Sequence, residues 1–333
     1  MKLRPIVMVL LAALLAYTGY WLIIAGNTDI FLERLGPEMK ARGVSFSYSD
    51  YQVTGFPYRI VLEFSDPVIV FENGPLSINV EAPGMEAISQ PWNFGHVILF
   101  LEQASIETFF EGKERKEILL RPDLASLSYS RQGGGAYRLS VETEQAELAT
   151  NFDMNLPGHY QRIALHIKKD TEARPEDGEL FDPKLLEVAL HMAVDEGAYF
   201  DSAAAFRAFA VPSISETGLR EWRDGGGTLE IEKALFAFGG RQVAFDGSFT
   251  LDERLRPLGA GGLEAEDARD IIVLLEGAGV LSGAEALILS SVLTAMPSAE
   301  NTLLAVSLPL TVQDGVVSVG PLPVYETGPV IGD

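Results

Sequence analysis

Histidine is the residue type that proteins use most often for metal binding and acid–base chemistry, and the chain has four: His96, His159, His166 and His191. A zinc site gathers three or four ligands at one point, as His-Glu-x-x-His does on one face of a helix. The four histidines have no such spacing. His159 and His166 are seven residues apart and would lie on opposite faces of a continuous strand. We therefore predict that the histidines lie at the surface or, with their hydrogen bonds satisfied, in the core, and that they do not form a metal centre.

Other motifs that carry chemistry give no stronger signal. The glycine runs at 259–262 and 277–279 lack the spacing of a dinucleotide fingerprint and the lysine of a phosphate-binding loop, so they indicate turns and helix ends. No Gly-x-Ser-x-Gly marks a serine nucleophile. The acidic pairs at 252–253 and 266–267 could recruit a divalent cation, but solvated charge is the simpler interpretation. We therefore expect a protein that is not an enzyme and that needs no cofactor.

Charge and cysteine content exclude further classes. The chain has 25 Lys and Arg against 47 Asp and Glu, a formal net charge of -22, which would repel a phosphate backbone. Nucleic acid is therefore not an expected partner. The absence of cysteine from the sequence removes disulfides, thiolate metal sites and the lipidated cysteine of a bacterial lipoprotein.

The N-terminus has the composition of a membrane anchor. Lys2 and Arg4 precede an uncharged run from Pro5 to Ile24, and about 20 apolar residues suffice for a helix to cross a bilayer. Aromatic residues suited to the headgroup level lie near its far end: Tyr17, Tyr20 and Trp21. The alternative is a cleavable signal peptide, whose apolar region is usually shorter and ends at a small-x-small site. We interpret the run as an anchor.

These features suggest a domain organisation and a location. Residues 1–27 would form a cytoplasmic tip and a transmembrane anchor, and residues 28–333 a β-rich domain in the periplasm. A subdivision near residues 170–182 is left open. The basic residues Lys2 and Arg4 favour a cytoplasmic N-terminus, so we expect a single-pass protein of the inner (cytoplasmic) membrane.

The body of the chain alternates apolar and polar residues with period two, which is typical of half-buried strands. The longest alternation runs from Ala146 to Leu156, and others cover Leu186–Val194, Val243–Leu251 and Leu304–Val312. Turn formers separate these runs. We therefore predict a mainly β protein with minor α: a transmembrane helix followed by an extended antiparallel β-sheet domain with a few packed helices.

Helical spacing and other breaks complete the pattern. Short helices are predicted over Asp29–Arg42 and Ser215–Arg223, and longer ones over Glu264–Leu281 and Ala284–Met296, where the apolar spacing is that of helices packed on the sheet. The proline-rich segment from Gly320 to Pro329 is predicted to be an extended tail.

Three stretches carry a family resemblance: GFPYR at 55–59, FDGSFTLD leading into LRP between 245 and 257, and VQDGVVSVGPLP at 312–323. Together they resemble a bacterial family known as domain of unknown function family 2125, a family of membrane-anchored envelope proteins. The same strand pattern is similar, more distantly, to AsmA-like envelope proteins. That resemblance implies an anchor followed by β units that form a lipid-carrying groove.

Two functions follow as expectations. The chain could bind or conduct lipid or another hydrophobic ligand along an apolar strand face, for which the candidate residues are Phe152, Met154, Phe245 and Phe249. Alternatively, it could be a structural scaffold that holds an envelope protein partner at the periplasmic face of the membrane. The aromatic turn at Phe56 and Pro57 is interpreted as a corner between strands, with a binding loop as the alternative.

We predict that the anchor is retained in the mature protein, because its length suits a bilayer and no small-x-small site ends it. N-terminal sequencing of the protein from the membrane fraction checks this, and a mature start near Gly26 would contradict it.

Overall fold

A computed structural model of the chain describes residues 3–111, 115–152, 157–170, 185–194, 197–207, 215–277, 281–295 and 306–331. The helices are α1 (Leu3–Gly26), α2 (Thr28–Lys40), α3 (Glu216–Asp224), α4 (Ala268–Gly277) and α5 (Gly283–Ala295). The first strands are β1 (Val44–Ser47), β2 (Asp50–Thr54), β3 (Ile60–Ser65), β4 (Val68–Asn73), β5 (Leu76–Glu81), β6 (Gly84–Gln90), β7 (Asn93–Glu102), β8 (Ser105–Phe110), β9 (Lys116–Arg131) and β10 (Tyr137–Thr150). The others are β11 (His159–Asp170), β12 (Leu185–Ala193), β13 (Tyr199–Arg207), β14 (Thr228–Phe238), β15 (Arg241–Leu251), β16 (Pro257–Ala265), β17 (Val306–Gln313), β18 (Val316–Val319) and β19 (Leu322–Glu326).

The strands form one large antiparallel sheet, which confirms the predicted fold class. From β9 to β19 each strand pairs with the next one along the chain, so this part is a simple meander. Several of these neighbours, such as β9 and β10 or β14 and β15, are joined by tight turns, whereas α3 lies between β13 and β14, and α4 and α5 lie between β16 and β17. The predicted strand over Leu186–Val194 is β12.

The N-terminal part of the sheet is folded back on itself. It forms two layers that are joined through the long strand β9. In one layer the second half of β9 pairs with β7, followed by β6, β3 and β2. In the other layer the first half of β9 pairs with β8, followed by β5, β4 and β1. Three non-glycine residues at the bends have positive φ: Asp66 (48°), Gln103 (51°) and Gln145 (49°). Hydrogen bonds from Asp66 N to Pro83 O (3.1 Å) and Gln103 N to Asp123 O (2.9 Å) continue the pairing across the bend.

This bend explains one wrong prediction. In β10 the buried residues Thr143 and Ala146 are three positions apart, because the left-handed Gln145 between them shifts the alternation by one residue. The strand begins at Tyr137 rather than Ala146 and ends at Thr150, and the predicted continuation over residues 153–156 lies outside the described residues.

The bend also builds a core at this end of the sheet. Phe64, Met85, Leu101 and Ala125 from one layer are buried, and side chains of the other layer, including Ile69 and Val80, pack against them. Helix α2 adds Leu32 to this N-terminal cluster, and the Tyr51 hydroxyl hydrogen-bonds the Asp29 carboxylate. The hydrogen bond to Asp29, which the ionised phenol could not donate, is the main cause that raises the pKa of Tyr51 to about 12.

Helices α4 and α5 cover the opposite end of the sheet. Ile271 and Leu289 are fully buried in a C-terminal cluster with Val243, Leu263 and Leu308 of the strands, and Leu274 packs partly buried against it. The predicted pair of helices is therefore present. However, α4 starts at Ala268 rather than Glu264.

Two further predictions were wrong because strands lie where turns or a tail were expected. The glycine run at 259–262 is part of β16, whereas Gly277 ends α4 as expected. Residues 322–326 of the proline-rich tail form β19, which pairs with β18. Helices α2 and α3 lie close to their predicted positions, and Ser215 caps α3 by accepting from Gly218 N at 3.2 Å.

The C-terminal cluster should respond strongly to a cavity. We expect Ile271→Ala to lower the free energy of unfolding by about 2–5 kcal/mol, because the side chain is completely buried. Val273→Ala in the same helix is the matched control, since Val273 is exposed and should change the stability by about 0.5 kcal/mol or less. Thermal and denaturant unfolding of the purified protein in detergent measure both, and equal effects would contradict the packing.

Candidate apolar ligand face

Cross-strand register places a continuous set of apolar residues on one face of the sheet. Residues that pair across strands project on the same side, so a row of paired residues stays on one face. One such row crosses twelve strands: Phe64, Met85, Leu101, Ala125, Thr143, Ile163, Met192, Phe200, Phe236, Val243, Ala265 and Val306. We call this side of the sheet the apolar face.

Parallel rows extend the apolar face along the strands. The next row across β9 to β15 contains Leu127, Val141, Leu165, Leu190, Ser202, Ala234 and Phe245. A third contains Tyr129, Leu139, Ile167, Val188, Ala204, Ile231 and Gly247. The bulge at Glu232 and Lys233 in β14 keeps Ile231 and Ala234 on the same side.

The two ends of the apolar face are covered, whereas no described residue covers the middle. The folded-back layer covers its N-terminal end and α4 with α5 covers its C-terminal end. Among the described residues, neither cluster includes a side chain from β10 to β13. Leu165, Ile167, Val188 and Leu190 in this middle part are only half-buried. Apolar side chains therefore line a stretch of sheet without a described covering layer.

The other face of the same strands is polar. Ion pairs join neighbouring strands there, with Arg162 to Glu142 at 2.7 Å and Lys168 to Glu187 at 3.3 Å. Antiparallel sheets commonly place one face in water and bury the other. The alternation of this sheet therefore leaves the apolar face as the side that requires cover.

The histidines lie on the polar side or near the bends. His166 hydrogen-bonds Ser140 at 2.9 Å, His96 hydrogen-bonds Ser128 at 3.2 Å, and His191 pairs with the Asp201 carboxylate. No group of three or more His, Cys, Asp or Glu that could hold a metal ion occurs in the part of the chain that the structure describes.

The acidic pair at 252–253 has a structural role through Asp252. Its carboxylate accepts hydrogen bonds from Arg254 N (2.8 Å), Arg256 N (2.9 Å) and the Arg256 guanidinium (2.6 Å at Nη2). Burial tends to raise the pKa of Asp252, but the hydrogen bonds from Arg256 and Arg254 together outweigh it and lower the pKa below its ordinary value. The carboxylate therefore holds the β15–β16 turn.

The same turn joins two of the sequence stretches that carry the family resemblance. Arg256 also donates to the Asp314 carbonyl at 2.6 Å, in the turn between β17 and β18. Leu255 has a positive φ of 59° and is almost completely buried, and its carbonyl accepts from Val330 N. The LRP and VQDG sequences thus meet at one edge of the sheet.

Two of the candidate ligand residues, Phe245 and Phe249, lie together on the apolar face, with ring centroids 5.9 Å apart. Each ring lies against a glycine of β16: a Cβ on Gly261 would come within 2.8 Å of the Phe245 ring, and one on Gly259 within 2.7 Å of the Phe249 ring. This close approach explains why a glycine run occupies a strand. Phe245 also packs against the C-terminal cluster.

The other two candidates are not brought to this place. Phe152 follows the end of β10, where the Lys116 ammonium lies 5.5 Å from its ring centroid. Met154 lies outside the described residues. The sequence analysis did not single out Leu165, Ile167, Val188 or Leu190 as ligand residues, although their alternation was visible. Their shared face emerges only when strand pairing and register are known.

Comparison with known proteins identifies the family. A family model described as "Uncharacterized protein conserved in bacteria (DUF2125)" matches residues 21–327. The chain belongs to this family. No curated protein and no solved structure matches the chain. The family match covers the whole sheet and helices α2 to α5, so the apolar face lies entirely within it.

The Asp252 turn leads to a pH-dependent expectation. Because its folded-state pKa is lowered, Asp252 stabilises the fold above its unfolded pKa and loses this contribution as pH falls through the folded value. We expect Asp252→Asn to lower the free energy of unfolding at neutral pH by about 1.5–3 kcal/mol through the charged hydrogen bonds. The difference from the unmodified protein should shrink in acid.

Unfolding curves measured between neutral and acidic pH test this, with Glu253→Gln as the control. Glu253 is the exposed neighbour, and its replacement should change the stability little at any pH. A difference between Asp252→Asn and the unmodified protein that stayed constant into strong acid would contradict the role of the Asp252 charge.

Proposed function

We propose that the protein is a membrane-anchored binder or conduit for lipid or another hydrophobic ligand, and that the ligand lies on the middle of the apolar face. The observation that supports this is the continuation of the apolar rows across β10 to β13, beyond both covering layers. A closed core would end where its cover ends. Here the apolar residues continue.

The dimensions of this region suit a lipid-sized ligand. Three inter-strand spacings from β10 to β13 give a width of about 14 Å, and three rows beside one another extend over about 14 Å along the strands. The area between these strand axes is then roughly 200 Å². Contiguous apolar patches of a few hundred Å² on soluble proteins are often binding sites. The half-burial of its side chains is consistent with a shallow trough.

The N-terminal helix supports a membrane location. Residues Ile6–Gly26 form a helix long and apolar enough to cross a bilayer. With Lys2 and Arg4 on the cytoplasmic side, the sheet would stand in the periplasm, attached to the inner membrane. No chemical step is needed for this role, so we propose a binding protein rather than an enzyme.

A scaffold is the second candidate function. Strand β19 pairs with β18 on one side, its other edge has no partner strand within the described ranges, and Tyr325 on it is exposed. An open edge of this kind can add a strand from a partner protein. This alternative requires an envelope protein partner and no ligand on the apolar face.

Adjacent residues of β11 provide a matched test, because Leu165 lies on the apolar face and the exposed His166 on the polar face. A photoreactive amino acid incorporated at position 165 should crosslink to lipid when irradiated in cell membranes, and the same group at position 166 should not. Mass spectrometry of the purified protein identifies the adduct. Equal labelling at both positions, or none at either, would contradict the proposal.

A negative charge introduced at position 165 or 166 distinguishes an open trough from a closed core. We expect Leu165→Glu to fold but to lose co-purifying lipid, because a carboxylate can remain hydrated in an open trough but not under a covering layer. His166→Glu should keep both fold and lipid. If Leu165→Glu unfolds while His166→Glu does not, the middle of the sheet is a closed core and the scaffold becomes the better explanation.

A further inference from the structure

The anchor helix and the sheet are joined through the aromatic residues of the helix. Tyr17 donates to the Pro57 carbonyl at 2.5 Å, Tyr20 to the Pro91 carbonyl at 2.6 Å, and Trp21 Nε1 to the Arg59 carbonyl at 2.9 Å. Trp21 is buried and its ring meets Phe56 edge to face at 5.4 Å. The acceptors belong to two hairpin loops, β2–β3 and β6–β7, so these loops lie beside the second half of α1.

The length of α1 determines the depth of these loops. The part of the helix before the first contact, Leu3–Ala16, has 14 residues and would be about 21 Å long. A bilayer has a hydrocarbon core of about 30 Å, so a spanning helix must also use residues 17–24. The loop carbonyls bonded to Tyr17, Tyr20 and Trp21 then lie at or below the headgroup level.

The tips of the same loops expose large aromatic side chains. Phe56, Tyr58, Trp92 and Phe94 are between 49% and 72% exposed. Four large rings in water on two adjacent loops would be unfavourable, whereas Trp and Tyr are favoured at the membrane–water interface. We call these four residues the aromatic tip.

The charge of these two loops and of a neighbouring one agrees with a membrane contact. The loop sequences GFPYR (55–59), PWNFG (91–95) and RQGGGA (131–136) contain two arginines and no carboxylate, in a chain with almost twice as many acidic as basic residues. The third loop lies beside the second, because a Cβ on Gly95 would be 3.9 Å from the Arg131 Cβ. Arg59 and Arg131 are exposed and could reach anionic headgroups.

We propose that the aromatic tip is a second membrane contact, in which the β2–β3 and β6–β7 loops insert their rings into the headgroup region of the leaflet from which the anchor emerges. The inference rests on the proposed anchoring of α1. It adds a fixed orientation of the sheet, because two loops and a helix hold it at several points. The end of the apolar face nearest the loops would then lie next to the lipid surface.

The cysteine-free sequence makes this testable with single labels. Tyr58→Cys and Trp92→Cys would each carry an environment-sensitive fluorophore in the full-length protein, reconstituted into vesicles of phosphatidylethanolamine and phosphatidylglycerol. Glu86→Cys is the matched control, because Glu86 is exposed on β6, six residues before Trp92 and away from the loop tip. Labels at positions 58 and 92 should show blue-shifted emission and lose fluorescence to lipid-borne quenchers. The label at position 86 should show neither effect.

Sedimentation with the vesicles after alkaline extraction separates the possible failures. If the protein stays in the pellet and the labels at positions 58 and 92 behave like that at position 86, the anchor holds and the aromatic tip is not a membrane contact. If the protein is released, the anchoring fails and the tip proposal fails with it. Far-ultraviolet circular dichroism shows that each labelled protein retains its strand content.

Discussion

The structure depends on the alternation of side chains being kept in register from β3 to β17. Because the side-chain period of a strand is two, a slip of one residue in any pair would move the apolar set of that strand to the solvent face. The sheet preserves the register even at its irregular points, as the bulge at Glu232 and Lys233 shows. The result is a single apolar face that is longer than either of its two described covering layers.

The two ends of the apolar face are covered in different ways. Near the N-terminus, the left-handed residues Asp66, Gln103 and Gln145 let the strands bend, so that the sheet covers itself. Near the C-terminus, α4 and α5 supply the cover, and Arg256 joins the β15–β16 turn, through Asp252, to the β17–β18 turn. A bent strand buries apolar area without adding chain, whereas helices require an extra segment between β16 and β17. Within the described residues the middle has neither kind of cover, which is why its half-burial supports a ligand in place of a covering layer.

Much of this fold could be predicted from the sequence, because period-two alternation, helical spacing and a long apolar run are local signals. The apolar N-terminal helix, the antiparallel sheet and the two packed helices were predicted in this way. Strand β16 was missed because a run of glycines is typical of a turn. Its glycines fit a strand because the rings of Phe245 and Phe249 lie against them, and this contact is known only from the structure. The start of β10 was misplaced because a positive φ at Gln145, which breaks the alternation there, leaves no trace in the residue type.

The candidate site was predicted less completely, for a related reason. Phe245 and Phe249 could be placed on one face from their spacing alone, but which parts of that face are covered depends on contacts between distant segments. The half-buried Leu165 and the fully buried Val243 have the same kind of local sequence, and only the helices packed over β15 distinguish them. Burial by a second layer is a property of topology. Alternation in one strand does not encode it.

The charge distribution connects the proposed trough with the proposed membrane contact. A chain with a net charge of -22 is repelled by an anionic leaflet, and at physiological ionic strength this repulsion acts over about 8 Å. The loops at 55–59, 91–95 and 131–136 carry arginine and no carboxylate, so they can approach such a surface closely, whereas the β15–β16 turn farther along the sheet carries Asp252 and Glu253. Attraction at these three loops and repulsion elsewhere would together favour contact through the N-terminal part of the sheet. In that orientation the end of the apolar face nearest these loops would lie next to the lipid surface.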